Sequence, residues 1–87
     1  MVEVRGIVTP TQDIAGSDTQ YTIATLPSGY RTSGVLYSIC QGSGACTWML
    51  RITYNGTIGF ARYRNGDAYA TAPAGAWLPF YTTFFVD

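Results

Sequence analysis

The sequence predicts an all-β fold, a small antiparallel sandwich or barrel, on three observations. No window of useful length carries apolar residues at the 3.6-residue spacing of a helix face. Lys is absent and Glu and Gln are scarce, so the strong helix formers are missing. Thr, Tyr, Ile, Val and Phe recur instead, broken roughly every eight to twelve residues by Gly, Pro and Asn, which is the rhythm of short strands and tight turns.

The first strand is expected over Val2 to Val8, with Val2, Val4 and Val8 on one face and Gly6 as an interruption. Pro10 to Thr19 is polar, holds Gly16 and two Asp residues, and reads as loop. Gln20 to Leu26 alternates as a second strand, and Leu26-Pro27-Ser28-Gly29 reads as a turn with Pro second and Gly fourth. Val35 to Cys40 and Thr47 to Tyr54 are the third and fourth strands.

Asn55-Gly56 is the clearest local signal, because both residues tolerate positive φ. A two-residue loop here sets Ile52 opposite Gly59. A three-residue loop over Tyr54-Asn55-Gly56 pairs Ile52 with Ile58 and Leu50 with Phe60. The second register gathers Trp48, Leu50, Ile52, Ile58 and Phe60 on one face, so the bulged hairpin is expected. Asn65-Gly66-Asp67 repeats the turn chemistry, between Arg62-Tyr63-Arg64 and Ala68-Tyr69-Ala70. Ala72 to Ala76 is small and bears Gly and Pro. Trp77 to Val86 is a last strand dense in aromatics, with Trp77 at its head read as core. The chain stops one residue later, which suggests a natural terminus.

Eighty-seven residues are expected to form one domain, 1–87, since smaller pieces could not bury a core. Such a chain hides only roughly 60–65% of its unfolded surface and commonly needs disulfides, metals or oligomerisation. Hydrophobic residues reach 47% and aromatics 15%, yet charged residues are only 11%, against about 25% in ordinary domains. Large apolar patches at a surface mark interaction sites, so the composition favours packing against copies of the same chain. The five cations are all arginine and balance five acids, and there is no His. Nucleic-acid binders carry a basic surplus that neutralises phosphate, and none exists here. The apolar stretches are too short for a membrane span or a signal segment.

Enzyme readings fail on inventory. A Ser or Cys nucleophile lacks its usual His base. The five acids lie in terminal strands and turns rather than as a facing pair. Gln41-Gly42-Ser43-Gly44 lacks the Lys and helix of a phosphate loop. Asn55-Gly56-Thr57 fits a glycosylation acceptor, but the turn accounts for it. Cys40 and Cys46, without His or a second pair, make a poor metal site, and no cofactor is implied. Two readings of the pair stand: a disulfide across a hairpin turning over Gly42-Ser43-Gly44, or two reduced, half-buried thiols. Binding readings do better. Tyr63, Arg64, Asn65, Asp67 and Tyr69 cluster around one turn, and rings beside planar polar groups suit sugars, whose C–H faces stack and whose hydroxyls take paired hydrogen bonds. The alternative is that Asn65-Gly66 merely turns a hairpin and the tyrosines prop its strands. Arg51 and Arg62 are expected to cover the sheet or to pair across a subunit interface.

Around Leu26-Pro27-Ser28-Gly29-Tyr30-Arg31, in the run from Ala24 to the end, the chain resembles C-terminal domains of bacteriophage and prophage tail-fibre or baseplate proteins. The run ATLPSGYRTS, the I-x-x-N-G-T-I-x-F hairpin from Ile52 to Phe60, and the closing WLPFYTTFFVD carry the resemblance. These domains commonly place Pro after the Tyr-Arg pair, where this chain has Thr32. The resemblance implies a small jelly-roll-like β-sandwich, assembled as a homotrimer at the end of a longer fibre on the virion or a prophage-encoded particle. It further implies recognition of host cell-surface polysaccharide or protein, and it transfers no binding residues. A purely structural trimerisation or capping domain and a carbohydrate-binding module of a cellular enzyme are the alternatives.

Overall fold

A computed structural model describes residues 1–86, and these form nine strands: β1 (Val2–Val8), β2 (Ile14–Ala15), β3 (Tyr21–Thr25), β4 (Leu36–Gln41), β5 (Cys46–Ile52), β6 (Thr57–Asn65), β7 (Ala68–Tyr69), β8 (Thr71–Ala72) and β9 (Leu78–Phe84). The described residues contain no helix, and every strand pairing is antiparallel. The larger sheet has the order β3-β6-β5-β4, with β7 added to β6; β1 pairs with β9, and β2 with β8.

The central hairpin β5-β6 has the expected register, with Ile52 opposite Ile58 and Leu50 opposite Phe60. Gly56 takes φ 87° at the bulge position, and its N–H donates to the Thr53 carbonyl at 2.9 Å. Asn55 Oδ1 accepts from the Thr57 N–H at 3.2 Å, so the turn satisfies its own polar groups. Trp48, Leu50, Ile52, Ile58 and Phe60 are all buried on the inner face.

The β1-β9 ribbon covers that face. Val4, Leu78 and Phe84 join the same core cluster, and Phe80 meets Trp48 edge to face at 6.2 Å. Gly6 lies opposite Phe80, and a Cβ there would meet the ring at 2.9 Å. The interruption read in the first strand is thus space for an aromatic partner. The Trp48 Nε1–H donates to the Gln41 carbonyl at 3.1 Å, which lets the largest core side chain be buried without an orphaned donor.

Several expectations are corrected. Trp77 is 75% exposed, because β9 begins at Leu78 and Trp77 falls outside its alternation. The Pro27 turn runs one residue later than expected, from Pro27 to Tyr30, with Gly29 third at φ 94°; that is the position where a type II turn requires positive φ. The loop read over Pro10 to Thr19 contains β2, which pairs with β8, a strand that ends on the first residue of the small stretch Ala72 to Ala76. Of the two readings left open for the cysteine pair, the structure has Cys40 and Cys46 as free thiols. Cys40 pairs with Trp48 and Gln41 with Thr47, so Cys46 stands one place beyond the ladder. Diagonal Cβ atoms in a sheet sit about 7–8 Å apart, whereas a disulfide needs about 3.5–4.5 Å. The turn is held instead by Gln41, whose Nε2 donates to the carbonyls of Gly42, Gly44 and Cys46.

Candidate functional site

The outer face of the larger sheet is built by the residues that the inner alternation excludes. Tyr37 and Ile39 of β4 stand opposite Arg51 and Met49 of β5, and Thr47 stands opposite Arg64 of β6. Tyr37 is 61% and Ile39 75% exposed, while Met49 is buried as the floor beneath them.

A β-bulge decides which side chains of β6 reach this face. Thr47 pairs with Arg64 but Met49 pairs with Ala61, so one extra residue is inserted between them. Arg62 adopts φ 55° there, a left-handed conformation rare for a residue with a side chain. Its N–H is turned out of the ladder and donates to the Ser17 carbonyl at 2.8 Å. Ile58 and Phe60 point inward before the bulge and Tyr63 after it. Arg62 lines the outer face with Met49 and Ile39.

Of the five residues expected to bind ligand, the structure therefore removes Tyr63. It is 1% exposed, packs against Phe60 with ring centroids 6.3 Å apart, and its hydroxyl accepts from the Ser43 N–H at 2.8 Å. Burial pushes its phenol pKa up. An unbulged β6 would have pointed Tyr63 outward. Asn65 and Asp67 stay exposed at the β6-β7 turn, where Gly66 at φ 64° occupies the first position of a two-residue loop.

Arg64 and Tyr69 are cross-strand partners, and the Arg64 guanidinium carbon lies 5.3 Å from the Tyr69 ring centroid. Residues that the sequence left in a loop complete the group. Asp18 Oδ1 accepts from the Tyr69 hydroxyl at 2.8 Å and from Arg62 Nε at 2.7 Å. These bonds, first from Tyr69 and then from Arg62, hold the Asp18 carboxyl below the usual carboxylate range. Asp18 is delivered by Gly16, which crosses β6 so closely that a Cβ would run into the carbonyl oxygens of Tyr63 and Ala70. At the other end of the face, the Arg51 guanidinium lies over the Tyr37 ring at 5.6 Å. Two Arg–Tyr pairs thus stand at either end of a hollow floored by Met49, with Tyr37 and Ile39 along its side. Such a surface can stack flat apolar faces and donate charge-assisted hydrogen bonds; it presents no nucleophile–base pair among the described residues.

Comparison with family models, with curated proteins and with solved structures finds no match to this chain.

Proposed function

We propose that this chain is the receptor-binding tip of a bacteriophage or prophage tail fibre or baseplate. In this reading it is a jelly-roll-like β-sandwich that works as a homotrimer outside the cell, on the virion tail or a prophage-encoded particle, and engages bacterial cell-surface polysaccharide or protein. The observation that carries the reading is the outer-face cluster of Asp18, Arg62, Arg64 and Tyr69 beside exposed Tyr37 and Ile39. Rings flanked by oriented guanidinium groups are the inventory of a polar-ligand surface. The resemblance of the 24–87 stretch to fibre tips agrees with it.

Replacing Arg64 and Tyr69 by Ala should abolish adsorption to host cells while light scattering still reports the wild-type assembly. A second reading, a fibre-capping domain with no ligand, is favoured by the apolar side chains outside the cluster: Ile7, Trp77, Tyr81 and Phe85 are exposed on or next to the β1-β9 ribbon. Adsorption unchanged by the double substitution would decide for that reading.

A further inference from the structure

Three of the five arginines line one face of the larger sheet, in a chain whose formal charge is zero. Two adjoining hollows, of about 430 and 120 Å³, share Ile39, Met49 and Arg62 as lining. Together they run from Tyr37 to Arg64 across β4, β5 and β6. From Thr47 to Arg51 the floor strand advances about 13 Å at the usual rise of a β-strand. The only ion pairs among the described residues are Arg5 with Glu3, on the ribbon, and Arg62 with Asp18. Arg62 and Arg64 therefore line this groove, Arg51 stands beside it against Tyr37, and of the three only Arg62 is ion-paired among the described residues.

Their donors are oriented and partly unspent. Arg62 gives Nε to Asp18, and a guanidinium has five N–H donors in a planar fork. Arg64 lies over the Tyr69 ring, and the Tyr69 hydroxyl is itself fixed by Asp18, so the fork is placed before a ligand arrives. Arg51 is held against Tyr37 in the same way, with its Nε buried and unpartnered. Guanidinium forks recognise carboxylates by paired, charge-assisted hydrogen bonds. The apolar floor and the tyrosines between them suit the flat faces of sugar rings.

We infer that this groove binds an acidic polysaccharide, one whose sugar rings carry carboxylate groups, with Arg62 and Arg64 taking the carboxylates and Tyr37 and Ile39 the ring faces. The inference rests on the recognition role proposed above and names the ligand class for it. Alternation of charge and ring along a chain matches the alternation of arginine and apolar surface along the groove, which a uniformly charged peptide does not. Removing one charge-assisted contact should weaken binding about tenfold or more, and binding should fall as salt screens the pairs.

The test uses the intact chain and three probes at low and physiological salt: polygalacturonate fragments, the same fragments with their carboxyl groups methyl-esterified, and poly-glutamate. Expected are binding to the first probe only, about a tenfold loss in Arg64→Ala, a comparable loss in Arg62→Gln, and unchanged binding in Arg5→Ala, which removes a charge from the ribbon. Equal binding of the esterified fragments overturns the acidic assignment and leaves glycan recognition intact. Preference for poly-glutamate overturns the sugar assignment in favour of an acidic protein segment. Binding of none of the probes overturns the inference, whereas the adsorption measurement with Arg64 and Tyr69 replaced judges the recognition role separately.

Discussion

At the residue scale the site turns on Asp18, a side chain that is distant in sequence from everything it touches. One oxygen of its carboxylate accepts from both Tyr69 and Arg62, and the bond from Tyr69 is the larger cause of its lowered pKa. The sign follows from linkage. A carboxyl whose folded pKa lies below its unfolded one contributes stability above the unfolded value, and that contribution fades as pH falls through the folded value. Tyr69→Phe removes the first cause and keeps the ring under Arg64. The Asp18 titration followed by carboxyl NMR should therefore move to higher pH in Tyr69→Phe than in the wild type. The advantage of wild type over variant should be present at neutral pH and vanish in acid. An unchanged Asp18 midpoint would show that the hydroxyl does not hold the carboxylate. Cys40 shows the opposite sense: burial raises its pKa, which keeps it a thiol, in keeping with a packing role in the core.

At the scale of elements, the bulge in β6 and the Gly16 crossing form one device. Gly16 donates its N–H to the Ala70 carbonyl at 2.8 Å, Ala70 donates to Tyr63 at 3.0 Å, and Arg62 donates to Ser17 at 2.8 Å. The crossing segment thus takes up the Arg62 N–H that the bulge turns out of the ladder, while Ala70 takes up the Tyr63 carbonyl. Gly16→Ala sets a methyl against two backbone oxygens that no side-chain rotation can clear. The segment must move, at a cost of about 1–3 kcal/mol in the range of overpacked interiors. Chemical denaturation should report that loss, and Asp18 should separate from Arg62 and Tyr69. A variant of wild-type stability would mean the crossing is looser than its geometry. The same device explains what could be read from the sequence. The β5-β6 register was legible because Asn55-Gly56 fixes a turn and Trp48, Leu50, Ile52, Ile58 and Phe60 keep one parity through it. The place of Tyr63 was not legible. The parity of β6 breaks at Arg62, and nothing local marks an arginine that will adopt positive φ; only Ser17, far away in sequence, accounts for it. Arg64 and Tyr69 were found because a turn brings them together, whereas Asp18 was missed because a long-range crossing does.

At the scale of the whole molecule, the area exposed to solvent is ordinary and its chemistry is not. The chain exposes 5177 Å², close to the roughly 5,000 Å² expected of a folded monomer of this length. The chain has no large excess of exposed surface, yet Trp77 and Phe85 are 75% and 74% exposed, with Ile7 and Tyr81 more than half exposed. Ile7 and Tyr81 lie on the outer face of the β1-β9 ribbon, and Tyr81 also borders a hollow that reaches Ile39 at the edge of the arginine-lined groove. Lys at both Ile7 and Tyr81 places like charges on that face, where a packed interface would have to desolvate them. Exposed surface substitutions in a monomer change stability by about 0.5 kcal/mol or less. The double variant should therefore unfold much as an isolated wild-type chain does but run as a monomer by light scattering, where the assembly proposed for the wild type should run as a trimer. Adsorption should weaken in parallel, because a trimer would present three groove copies and multiply the effective concentration of each. A double variant that stays trimeric would move the interface off the ribbon, and a wild type that stays monomeric at high concentration would remove assembly from the function altogether.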